Sequence, residues 1–135
     1  MRSAREILAE STTIAVVGAS RDPNKVAHTV PRQIMRHGWR VIPVNPYCDE
    51  LWGVPCYPTL ADIPEHVDLV NVFRPAADCP KIARQAVEIG ADALWLQQDI
   101  ISAEAREIAV AAGLDYVEDR CTAVERAVAA LSKLP

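Results

Sequence analysis

Six short apolar runs recur along this chain, and the segments between them carry helix start and stop signals. The runs are "TIAVVG" (Thr13 to Gly18), "RVIPV" (Arg40 to Val44), "GVPCYP" (Gly53 to Pro58), "VDLVNVF" (Val67 to Phe73), "DALWLQ" (Asp92 to Gln97) and "LDYVE". Valine-rich strands alternating with amphipathic helices predict a parallel sheet covered by helices on both faces. The prolines of "GVPCYP" place that strand at an edge. The expected architecture is α/β: a doubly wound, mainly parallel, Rossmann-like three-layer fold forming one domain over residues 1–135.

The helix signals are specific. Ser3 and Glu6 form an S-x-x-E capping box that opens a helix at about residues 3–10, and Thr122 and Glu125 repeat the pattern before the last helix. A second helix is expected to start near Thr29, with Pro31 in its first turn, where a missing N–H is harmless. Gly38 closes it. Thr59 with Asp62 begins a short helix, one spans about Asp78 to Ile89 and ends at Gly90, and Ser102 caps one that ends before Gly113.

At 135 residues, half of them apolar, the chain is long enough for a core and too hydrophobic for disorder. Its net charge of -4 gives no general case for a nucleic-acid partner. No apolar run nears the roughly 20 residues of a membrane span. The four cysteines form no C-x-x-C pair and lie at no ligand spacing from the histidines, so no metal site is expected. Four reduced thiols in a cytoplasmic protein is the corresponding expectation.

In a doubly wound fold, ligands sit outside the carboxyl ends of the strands, at the switch point. That rule directs attention to "GASR", "NP", "FRP" and "QQD". In "VVGASRDPNK", Gly18 allows close backbone approach, Ala19 adds little bulk and Ser20 offers a hydroxyl. Arg21 and Lys25 put positive charge where an anion would lie before a helix N-terminus. A nicotinamide dinucleotide fits poorly. Its G-x-G-x-x-G turn is reduced to Gly18 alone, and Asn45 stands where an acid would hold the ribose. A ligand with extra phosphate beside the first loop fits better.

"VVGASRDPNK", "GWRVIPVNP", "GVPCYPTLADIPEHVDLVNVFRP", "ALWLQ" and "EDRCT" occur in this order. Together they resemble the small stand-alone CoA-binding proteins, whose fold is similar to the CoA-binding domain of the succinyl-CoA synthetase alpha subunit. The resemblance runs from about Thr13 to Leu131. It implies that CoA or an acyl-CoA is held by its nucleotide and pyrophosphate. Gly18, Ala19, Ser20 and Arg21 would line the phosphate loop, and Lys25 would face the phosphates. Pro43, Val44, Asn45 and Pro46 would form the adenine-side wall. Phe73, Arg74 and Pro75 would close the opposite side, and Gln97 would lie near the pantetheine path. Two departures stand out. Asp99 takes the place of a usual glycine after "WLQ", which puts an acid near an anionic ligand. "FRP" has one arginine fewer than the common "FRRP".

No nucleophile is paired with a base, so no catalytic residue is assigned. His28 lies near the first loop, His37 suits a helix C-terminus and His66 a surface turn. Asp62, Asp68, Asp78 and Asp119 read as caps and solvated charges. Trp39 and Trp95 read as packing residues, while Trp52 approaches the rim. Cys121, beside Arg120 and a helix N-terminus where a thiolate is favoured, reads first as a packing cysteine and second as a thiol that forms a mixed disulfide with a ligand thiol. The leading reading is a non-enzymatic CoA-binding module with a protein partner or homo-oligomer left open. The alternatives are an NAD(P)-binding redox protein or dehydrogenase, and a regulatory subunit with an empty pocket.

Overall fold

The computed structural model describes all 135 residues. Five strands form one parallel sheet: β1 (Thr13–Val17), β2 (Arg40–Val44), β5 (Leu69–Val72), β6 (Ala93–Leu96) and β7 (Asp115–Val117). Their order is β2-β1-β5-β6-β7. The chain leaves β1 toward one edge and returns from β2 to the other side of β1. The direction of winding therefore reverses between β1 and β5, where Val17 pairs with Val72. Such a reversal opens a crevice at the carboxyl ends of the two strands.

The five helices are α1 (Ala4–Glu10), α2 (Val26–Arg36), α3 (Cys79–Glu88), α4 (Ala103–Ala111) and α5 (Thr122–Val128). None is long and apolar enough to cross a membrane. Successive strand residues point to opposite faces, and two cores result. On one face Ile14, Val16, Val41, Leu69 and Trp95 pack with Ile7 and Leu8 of α1 and Ile34 of α2. On the other, Ile42, Val44, Val70, Val72, Leu94 and Leu96 meet Ile82 and Ala86 of α3 and Ala105 of α4. Leu94 and Leu96 are fully buried, each contributing about 1.5–3 kcal/mol relative to an exposed side chain. This is the three-layer α/β/α sandwich that the alternation predicts.

Four expectations about local structure change. "GVPCYP" does not form an edge strand of the main sheet. Val54–Pro55 (β4) pairs antiparallel with Glu50–Leu51 (β3) in a small hairpin, and only Tyr57 touches the sheet, bridging to Val44. The two-residue turn at Trp52 and Gly53 has φ values of +58° and +76°, the positive pair that a type I′ turn requires. Thr59 and Asp62 do pair, Asp62 Oδ2 accepting from Thr59 N at 3.1 Å and Oγ1 at 2.8 Å, but the helix they open is one 3₁₀ turn, Leu60–Asp62.

Helix α2 begins at Val26 rather than Thr29, which puts Pro31 inside the helix. A proline there removes the amide that would bond the carbonyl of Ala27. Ser20 N donates to that carbonyl instead, at 3.2 Å, so the proline ties the first loop to the helix. The capping box at α1 is present, with Glu6 N to Ser3 Oγ at 3.2 Å and Ser3 N to Glu6 Oε1 at 3.0 Å. The box expected at Thr122 and Glu125 is not. Thr122 is already helical and buried, its Oγ1 is 3.3 Å from Asn71 Oδ1, and Glu125 pairs with Arg120.

Candidate functional site

The crevice between β1 and β5 is a cleft of about 810 Å³. Gly18 makes its geometry possible. With φ at +88°, a Cβ at this position would lie 2.8 Å from Phe73 O and 2.9 Å from Arg74 Cδ. Only glycine lets the β1 loop and the β5 loop approach this closely. Phe73 N donates to Val17 O at 2.8 Å and Gly18 N to Val44 O at 3.2 Å, fastening three strand ends together. Asn45 adds a side-chain tie: its Nδ2 donates to Ala19 O at 2.8 Å, and its Oδ1 accepts from Tyr47 N at 2.7 Å.

The loop after Gly18 is internally satisfied. Ser20 Oγ accepts from Asp22 N at 3.1 Å, and Asp22 Oδ1 accepts from Asn24 N at 2.9 Å. The Ser20 hydroxyl keeps its proton to donate. His28 Nδ1 is 2.7 Å from Ser20 O and 3.2 Å from Trp52 Nε1. One nitrogen cannot both donate and accept. The shorter contact assigns it as the donor to Ser20 O, and the indole packs edge-on at 74°. Helix α2 starts beside this loop with Lys25 at its cap position and no side-chain capping bond, which leaves the positive end of the helix facing the cleft.

Charge distinguishes the cleft from the rest of the molecule. Arg21, Lys25, Arg74 and Lys81 line it against two acids, Asp22 and Asp78. That is a surplus of two positive charges on a chain whose net charge is -4. Arg74 is held by Asp78 at 2.9 Å. Val44, Leu60, Phe73 and Ile82 supply apolar walls, and Tyr47 stands at the mouth, 82% exposed. The arrangement suits a ligand with several phosphates and an apolar or planar portion.

Of the residues expected here, Gly18, Ala19, Ser20, Arg21, Lys25, Val44, Asn45, Pro46, Phe73 and Arg74 line the cleft, whereas Pro43, Pro75 and Gln97 do not. Strand alternation explains two of these. Pro43 lies one residue from Val44 and faces the opposite way, giving only its carbonyl, to Tyr57 N at 3.0 Å. Gln97 follows Leu96 and turns toward α5. It is buried there, its Oε1 accepting from Asn71 Nδ2 at 3.2 Å and from Thr122 N at 3.5 Å. Pro75 precedes a 3₁₀ turn, Ala76–Asp78, and bonds Asp78 N through its carbonyl.

Asp99 is also outside the cleft lining. Its φ is +70°, a backbone region that glycine enters freely and aspartate tolerates. Asp119 Oδ1 accepts from Asp99 N at 2.7 Å and holds the bend. A glycine at this position would meet the same backbone requirement without strain.

Sequence reading missed Tyr47, Lys81 and Gln85, all in the lining. Lys81 and Gln85 are four apart on α3 and share a helix face. Their spacing after the "FRP" loop, at the first turns of a helix leaving the switch point, was the available signal. Trp39 and Trp95 are buried packing residues as expected, their Nε1 atoms donating to Leu8 O at 3.1 Å and Arg120 O at 2.8 Å. Cys121 is half-buried at the cap of α5, with the Arg120 guanidinium turned to Glu125. At the amino ends of the strands, His66 lies 3.4 Å from Asp68 and 3.2 Å from Asp92. Asp68 also accepts the amides of Thr12 and Thr13, each at 2.9 Å, which marks it as a structural anchor at the end away from the cleft.

Comparison with known proteins gives the family. The family described as CoA binding domain matches residues 12–127. A Bacillus subtilis protein, the uncharacterized YneT, is 37% identical over 124 residues, covering 92% of each chain. The acetate–CoA ligase [ADP-forming] I of Archaeoglobus fulgidus is 39% identical over 72 residues, a stretch that is 53% of this chain and 10% of the ligase. Among solved structures, a hypothetical protein from Pyrococcus horikoshii superimposes with a TM-score of 0.90 at 37% identity, covering 93% of this chain and 88% of that one. With the family matched across nearly its whole length, the chain belongs to the CoA-binding domain family.

Proposed function

We propose that this protein binds CoA or an acyl-CoA reversibly and holds it without converting it. The observation that carries the reading is the local reversal of charge. Four cations and an uncapped helix N-terminus surround one cleft on an otherwise acidic chain. CoA presents a pyrophosphate and a further ribose phosphate, which is more anionic charge at one end than NAD offers. In this reading the Gly18–Ser20 backbone, the Ser20 hydroxyl and Lys25 receive the pyrophosphate, and Arg21 receives the ribose phosphate. Val44, Asn45 and Pro46, with Tyr47, form the adenine side. Lys81 and Gln85 extend the polar wall along α3.

One feature weighs against a nicotinamide cofactor, and another against nucleophilic catalysis. The side chain at the end of β2 is Asn45, and both ends of its amide are already bonded within the protein. No acid stands there to receive the ribose hydroxyls. The imidazole of His28 is bonded to the carbonyl of Ser20 and not to its hydroxyl, so the pair is not set up as base and nucleophile.

Thermal unfolding in the presence of CoA, acetyl-CoA, NAD and NADP tests the reading. A ligand at 100 times its Kd stabilises the folded state by about 2.7 kcal/mol, roughly 10 °C in Tm for a domain of this size. CoA and acetyl-CoA are expected to give the large shifts. An equal or larger shift with NAD or NADP overturns the proposal in favour of a redox protein. No shift with any of the four overturns it in favour of a site without a nucleotide.

A further inference from the structure

The β3–β4 hairpin brings together two cysteines for which the cleft has no use. Cys48 Sγ and Cys56 Sγ are 3.2 Å apart. Backbone pairing fixes the approach: Cys56 N donates to Asp49 O at 2.9 Å, and Asn45 N donates to Tyr57 O at 2.9 Å, so the strands are clamped on both sides of the pair. The sulfurs need close by only about 1 Å to reach a disulfide bond length of ~2.05 Å. Cys79 and Cys121 have no sulfur neighbour of this kind. Cys79 is wholly buried and donates toward Pro75 O at 3.6 Å.

We propose that Cys48 and Cys56 are a redox-active dithiol that closes to an intramolecular disulfide on exposure to a peroxide. The two thiols divide the work by exposure. Cys48 is half-buried and reachable from solvent; Cys56 is 7% exposed. Burial and the neighbouring Cys48 sulfur push the Cys56 thiol up to about 12, so it stays protonated, with its S–H 3.7 Å from Asn45 O. The Cys48 thiolate attacks one peroxide oxygen. The O–O bond breaks, Cys48 becomes a sulfenic acid and the other oxygen leaves as water after taking a proton. The Cys56 thiol then passes its proton to the sulfenic oxygen as its sulfur attacks the Cys48 sulfur, and the S–O bond breaks with that oxygen leaving as water. The sum is two thiols and one hydrogen peroxide giving one disulfide and two waters. This chemistry is independent of which ligand fills the cleft.

The test is peroxide treatment of the reduced full-length protein, followed by thiol alkylation and non-reducing peptide mapping. The expected product is a monomer about 2 Da lighter than the reduced protein before alkylation, with Cys48 linked to Cys56, and with Cys79 and Cys121 alkylated once the chain is denatured. In Cys56→Ser the expected product is a sulfenic acid on Cys48, trapped by dimedone. In Cys48→Ser, Cys56 should remain alkylatable after the same exposure. The proposal is overturned by bridges that form only between molecules, by bridges that involve Cys79 or Cys121, or by four thiols that stay alkylatable under peroxide that oxidises a small-molecule dithiol. Circular dichroism of each variant confirms that the fold is retained. Should Cys56→Ser fail to fold, the linkage map of the wild-type chain decides alone.

Discussion

Two pairs of strand ends in this sheet started from the same rule and came out differently. Both the β1/β5 end and the β6/β7 end are carboxyl ends of parallel strands followed by polar loops. At β1/β5 the polar groups are spent on shaping loops, and the charged tips of Arg21, Lys25 and Lys81 stay in the cleft. At β6/β7 the polar groups are spent on one another. Asn71, Gln97 and Thr122 bond in a buried cluster, Trp95 Nε1 donates to Arg120 O, and Asp119 holds Asp99. The first end lies at the reversal of winding, where no strand fills the gap. The second lies where winding continues and α5 closes over it. Both regions share the carboxyl ends of parallel strands; the change of direction and the unspent charged groups set the cleft apart.

The largest break in this contrast is expected at Gly18. Gly18→Ala forces a Cβ into Phe73 O in a left-handed backbone, a cost of roughly 2–4 kcal/mol from strain and overpacking. Denaturant unfolding should show the loss of stability, and CoA affinity should fall with it as the two loops separate. A stable Gly18→Ala with unchanged affinity would mean that the close approach is not what forms the cleft.

Gln97→Ala probes the closed end. It leaves buried Asn71 and Thr122 short of a partner, which costs about 1–3 kcal/mol. Unlike Gly18→Ala, it should leave CoA affinity within about twofold of wild type, once measured where the variant is fully folded. A tenfold loss of affinity would restore Gln97 to the ligand path and erase the distinction between the two ends.

Much of this was legible in the sequence because strands and caps are local. Short apolar runs located β1, β2, β5, β6 and β7, and Ser3 with Glu6 located α1. The parallel sheet followed from the alternation of elements, but the strand order did not, so four loops stood as candidates and only "GASR", "NP" and "FRP" meet in the cleft. What was lost depended on which way a side chain points after a strand ends. Gln97 and Leu96 are adjacent, yet one faces α5 and the other α3, and nothing in "WLQQD" says which face the cleft will use. Pro31 was read as an N-terminal proline because the bond that compensates for it, Ser20 N to Ala27 O, comes from outside the helix. Thr122 carries a cap signature, but a buried partner in β5 claimed its hydroxyl. The hairpin at Trp52 and Gly53 lacks the Asn-Gly or Asp-Gly signature of its turn, and the prolines of "GVPCYP" pointed to an edge strand instead.

The central claim is that the first loop reads phosphate charge, and one calorimetric titration tests it most directly. Arg21→Ala and Arg106→Ala are titrated with CoA and with dephospho-CoA. Arg106 sits on α4 near the Tyr116 ring, outside the cleft. A charge-assisted contact is worth about 1.5–3 kcal/mol, and the exposure of Arg21 brings this to the low end. Arg21→Ala should then weaken CoA binding roughly tenfold, with a smaller loss for dephospho-CoA, while Arg106→Ala changes neither. Equal affinity of the two variants for CoA would contradict the account, reducing "GASRDPNK" to a turn between a strand and a helix.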